Sequence, residues 1–117
     1  MFLTSSGHPR AFFQHAIEGR NLVAAEAAAR ELGQLTLADA LLLLELYADK
    51  DYGRFERAAV RWHGRLELEA KRLTLPEAQL ALAALPALGG EHQAHALGLL
   101  RAFADRAPPL RPLRRVR

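Results

Sequence analysis

Apolar residues recur along most of this chain at three- and four-residue spacing, and polar, glycine or proline breaks divide the pattern into six segments. That period is the signature of amphipathic α-helices, and almost no stretch alternates as a strand would. Pro9 suits a first helical turn, and a short helix follows over residues 11–18. Gly19-Arg20-Asn21 reads as a turn. Asn21 is placed to cap a second helix that runs to about Leu32, and Gly33 fits the left-handed position after its end.

Thr36 opens the third helix and Thr74 the fifth. Each threonine is followed three residues later by an acid, Asp39 or Glu77, which can return a hydrogen bond to the cap amide. Glu77 suits that box better than the shorter Asp39. Pro76 sits in the first turn, where its missing amide costs nothing. The fourth helix starts at Asp51 or Tyr52 and continues to about Arg72, with Gly64 marking a kink or a close contact. Gly89-Gly90 separates the fifth helix from the sixth, which ends near Arg106 before Pro108, Pro109 and Pro112. The expected fold is all-α: about six helices paired as three hairpins, stacked as a short solenoid or closed as a compact bundle. Residues 1–106 form a single helical domain, and residues 107–117 a flexible basic Pro/Arg tail.

Superposing Thr36 on Thr74 also matches Leu37 with Leu75, Ala40 with Ala78, Leu42 with Leu80, Leu44 with Leu82 and Ala58 with Ala96. A helix-pair repeat of this length falls within the solenoid range. The third and fifth helices are apolar nearly all round, which places both in the centre. The alanines of the second helix permit close helix approach.

Composition narrows the function classes. The 117 residues suit one domain, and half of them are hydrophobic while a quarter are charged, a globular balance. Cysteine is absent, which excludes disulfides, thiolate catalysis and cysteine-based zinc sites. The first ten residues lack the basic-then-apolar order of a secretory signal. The run Leu41 to Leu44 ends at Glu45, far short of the roughly 20 residues a spanning helix needs. A soluble cytoplasmic protein without membrane association is therefore expected. The net charge is +3, but Arg111, Arg114, Arg115 and Arg117 alone supply more than that, so the body is slightly acidic.

The segments His8-Pro9-Arg10-Ala11, Ala29-Arg30-Glu31-Leu32-Gly33 and Glu56-Arg57-Ala58-Ala59-Val60-Arg61-Trp62 resemble a family of small uncharacterised, mainly actinobacterial proteins. The likeness covers the helical body and not the tail. The hairpin layout is similar to tetratricopeptide-like repeats, although the usual Trp, Gly, Tyr and Pro positions of that repeat have no counterparts in each unit.

Arg54, Arg57, Arg61 and Arg65 fall within an arc of about 80° on the fourth helix, beside an apolar stripe that includes Phe55 and Trp62. Neighbours three and four positions away normally offer acids to arginines, but Arg57 and Arg61 have none on their own helix. Acids from another helix or an anionic partner should then meet them. The tail arginines form a second candidate for phosphate contact.

Enzyme signatures are missing. Gly89-Gly90 has no following Lys-Ser or Lys-Thr for a phosphate loop, and the serines, Ser5 and Ser6, precede the first helix. Glu91, His92 and His95 lie near one helix start, but Glu91 faces away from the two imidazoles, so no metal or cofactor is assigned. The expectation is a non-enzymatic helical module that binds a protein partner or a second copy of itself. Phe12, Phe13, Leu99 and Leu100 are its candidate interface. The alternative is a nucleic-acid accessory protein using the arginine stripe and the tail.

Overall fold

The computed structural model describes residues 9–109, so the tail candidates Arg111, Arg114, Arg115 and Arg117 lie outside the described residues. Within that range the chain is all-α: α1 (Pro9–Glu18), α2 (Leu22–Leu32), α3 (Leu37–Lys50), α4 (Tyr52–Glu69), α5 (Leu75–Ala84) and α6 (Gln93–Ala104). A short 3-10 turn, Leu85–Gly89, joins the last two. Consecutive helices pair as three hairpins, α1 with α2, α3 with α4 and α5 with α6.

Local chemistry sets the boundaries. Asn21 accepts a hydrogen bond from Ala24 N at 3.1 Å, and Gly33 ends α2 at φ +82°, a conformation that glycine adopts freely. Thr36 caps α3 by accepting from Asp39 N at 3.0 Å, without a reciprocal bond. Thr74 and Glu77 form the complete capping box of α5, at 3.2 and 3.0 Å. α4 runs unbroken through Gly64, and a Cβ built there would meet nothing within 4 Å. Gly64 therefore marks neither a break in the helix nor a close internal contact. Pro86 lacks the amide that would continue the helical ladder, which explains why α5 stops at Ala84 and tightens into a 3-10 turn.

α3 is the central helix, packed against α1, α2, α4, α6 and the 3-10 turn. One side, with Leu37, Leu41 and Leu44, joins Phe55, Trp62, Leu66, Leu85, Leu100 and Phe103 in the main core. Leu46 closes a second core with Phe13, Ile17, Ala25 and Ala28 of the first hairpin. α5 departs from its expected central place. Only Ala78 and Ala81 of this helix are buried, while Leu75, Leu80 and Leu82 are 69%, 50% and 52% exposed. The repeat fails at the same positions. Leu37 and Leu44 are core residues, but their counterparts Leu75 and Leu82 face outward. The two hairpins share their capping chemistry and not their packing.

The interface expectation at the terminal helices also needs correction. Phe13 is completely buried in the first-hairpin core and Leu100 in the main core, so neither is available to a partner. Leu99 is half-buried against the main core, and Phe12 alone of the four is exposed. Ala107 packs on the main core.

Candidate functional site

The four stripe arginines meet different fates. Asp51 caps α4 by accepting from Arg54 N at 3.3 Å, and its second oxygen accepts from Arg54 Nε at 2.8 Å. Arg54 also donates to Glu26 of α2, and its guanidinium sits 5.3 Å from the centre of the Tyr47 ring. Arg65 forms a bidentate pair with Glu69 one turn later, at 2.7 and 3.1 Å. Arg57 and Arg61, between them, are exposed and have no carboxylate partner among the described residues. The acid from another helix reaches Arg54 alone.

Two of these arginines, Arg61 and Arg65, border a groove. α3 and α4 run antiparallel as a hairpin, and between them lies a cavity of about 550 Å³. Ala40, Leu43 and Tyr47 supply one wall, Ala58, Trp62 and Leu68 the other, with Arg61 and Arg65 at the rim. A second cavity of about 500 Å³ adjoins it, sharing Ala40, Arg61 and Arg65 and adding Arg30, Gln34 and Leu35. Small residues make the space: Ala40, Ala58 and Gly64 stand where longer side chains would fill it. Trp62 is held as part of the floor, its Nε1 donating to the Leu37 carbonyl at 2.9 Å.

The Tyr47 end of the groove is closed by a network. Tyr47 donates its hydroxyl proton to Glu26 at 2.6 Å, and Glu26 also receives Arg54. Burial, and then the bond to Glu26, push the Tyr47 phenol up to about 12. Because the folded value lies above the ordinary 10, this contribution to stability is fully present below pH 10 and disappears as pH rises through about 12. In a Tyr52→Phe protein, tyrosinate absorbance near 295 nm should therefore rise near pH 12 while the fold persists. A midpoint at 10 in folded protein would show that the Glu26 bond and the burial are absent.

Arg30 is the rim residue that sequence spacing did not find. It lies in the last turn of α2, and only the packing of α2 beside α3 brings it to the cavity shared with Arg61 and Arg65. The histidines do other work. His63 Nε2 lies 2.7 Å from the Ala78 carbonyl and links α4 to α5. His92 and His95 are exposed, with ring centres 6.5 Å apart. No three His, Cys, Asp or Glu side chains among the described residues come together to hold a metal ion. No helix there is long and apolar enough to cross a membrane. Phe12 lines a separate open groove with Ala24, Ala27 and Ala28, between α1 and α2. Comparison of the chain with family models, curated proteins and solved structures finds no match.

Proposed function

We propose that this protein is a non-enzymatic, cytoplasmic helical interaction module, and that the groove between α3 and α4 is its docking surface for a protein partner. One observation carries the reading: an apolar groove floored by Trp62 and edged by Arg61, with Arg57 one turn before it on the same face of α4, and no carboxylate of the described residues neutralises either arginine. Like charges one turn apart repel by a few tenths of a kcal/mol, a cost with no return inside the described fold. An apolar centre with a charged rim is the usual anatomy of a protein interface.

The alternative, nucleic-acid binding along the stripe, has less support. Arg54 and Arg65 are already held by carboxylates, and the groove floor offers phosphates nothing. Photo-crosslinking in cells separates the readings. A photoreactive phenylalanine analogue in place of Leu68, which is 88% exposed beside the groove, should give a discrete protein adduct. The same analogue in place of Val23 on α2 should not, and Arg61→Glu should remove the adduct. No adduct, or the same adduct from both positions, would overturn the proposal. An adduct digested by nuclease would transfer the groove to nucleic acid.

A further inference from the structure

We infer that the groove selects an amphipathic partner helix bearing carboxylates at four-residue intervals, an inference that rests on the docking role just proposed. Arg57, Arg61 and Arg65 follow one another at four-residue steps, so their Cα atoms rise about 6 Å each time along α4. Carboxylates at the same interval on a second helix rise by the same amount. A helix laid along α4 can therefore set its acids beside the arginines in either direction. Arg57 and Arg61 have no competing acid, and Arg65 would share itself with Glu69.

The groove also has the form a helix needs. A seam between two antiparallel helices receives a third with its apolar face inward. From Ala58 to Leu68 it extends about 15 Å, or nearly three helical turns, and Arg57 stands just beyond that end. Gly64 supports close approach. A glycine inside a helix costs about 1 kcal/mol against alanine. Here it has no positive φ, and a Cβ would touch nothing inside the protein. Its bare backbone opens toward the groove, where an incoming helix gains the contact.

A second copy of the chain does not fit this description. Among the helices of the described residues, the only acids four positions apart are Glu45 and Asp49, and Arg20 holds both. The occupant is a different, acidic chain.

The test uses the full chain and two stapled synthetic helices of about 18 residues. Both carry leucine at three- and four-residue spacing. One has glutamate every fourth position along the flank, and the other has glutamine there. Fluorescence anisotropy should show the glutamate helix binding about five- to tenfold more tightly, the size that two or three exposed ion pairs supply together. That margin should shrink with added salt. Arg57→Glu with Arg61→Glu should reverse the preference. These side chains hold no other element in place, so the variant should melt like the parent, and Arg57→Gln with Arg61→Gln provides a milder check. Equal binding of the two helices would overturn the charge selection and leave the docking role standing. Binding of neither helix would overturn both this inference and, if the adduct from position 68 also failed, the docking role itself. Tighter binding of a short single-stranded RNA than of the glutamate helix would overturn the choice of partner.

Discussion

Trp62→Ala is expected to lower the unfolding free energy by about 3–5 kcal/mol, the largest loss from any single truncation in this fold. Trp62 is 3% exposed and belongs to the main core formed by α3, α4 and α6. Removing the indole deletes its transfer free energy and leaves a cavity, because the helices on either side are held by other contacts and relax only partly. The Leu37 carbonyl also loses a donor at 2.9 Å. Trp62→Phe keeps most of the buried ring and should cost closer to about 1–2 kcal/mol, which separates packing from the hydrogen bond. Urea unfolding followed by far-ultraviolet circular dichroism measures both variants, since the indole fluorescence is lost in each. A loss under about 1 kcal/mol for Trp62→Ala would mean that the ring is not part of the core. The same ring floors the groove, so Trp62→Ala should also abolish helix docking even under conditions where the variant stays folded.

What the sequence revealed follows how local each feature is. Asn21, Gly33, Thr36 and the Thr74–Glu77 box all act within one turn, and each does what its spacing predicts. The placement of α5 was not legible. Its composition is apolar nearly all round, but α5 is short, ends just before Pro86, and buries only the narrow face of Ala78 and Ala81. Burial depends on how many neighbours a helix meets, and composition does not contain that number. Phe12 and Phe13 illustrate the same gap. Adjacent residues on a helix point about 100° apart, so one enters the core and the other faces water, and only the docking of α1 on α2 decides which.

The arginine stripe was legible in part. The absence of same-helix acids beside Arg57 and Arg61 is local and holds. The contacts of Arg54 with Glu26 and Tyr47 join residues far apart in the chain. The groove itself had no sequence signal, because it consists of what Ala40, Ala58 and Gly64 leave out once α3 meets α4. Two buried acids were also hidden. Asp39 read as a capping acid, yet its carboxylate turns to Arg10 of α1. Glu45 read as the polar end of a leucine run, yet it is only 7% exposed.

Glu45→Ala is expected to cost about 2–3 kcal/mol, more than removal of any exposed charge in the molecule. Its carboxylate accepts from Arg20 Nη1 at 2.7 Å and Nη2 at 3.1 Å, and from Gln93 Nε2 at the first residue of α6. Arg20 stands in the turn between α1 and α2 at φ +57°, a left-handed conformation unusual for a side-chain-bearing residue. One carboxylate thus fastens the first hairpin and α6 to the central helix. Arg20 stays hydrated on one side and keeps its 2.8 Å bond to Asp49, so its charge is not stranded, and the loss stays below the extreme for a broken buried pair. Glu45→Gln preserves volume and one acceptor and should cost about half as much. Asp49→Ala, at an exposed site, should cost less than either. Arg20 holds the Asp49 carboxyl below its ordinary range, so that smaller contribution is present above about pH 4 and fades as pH falls further. Hydrogen exchange gives the decisive pattern. In Glu45→Ala, protection should fall first at the start of α6 and around Arg20, while the α3–α4 pair keeps its protection. A uniform loss across all six helices would show that Glu45 contributes to global stability without joining these particular elements. Because α2 carries Glu26 and Arg30, loosening the first hairpin should also weaken helix docking in the groove, although Glu45 touches no part of it.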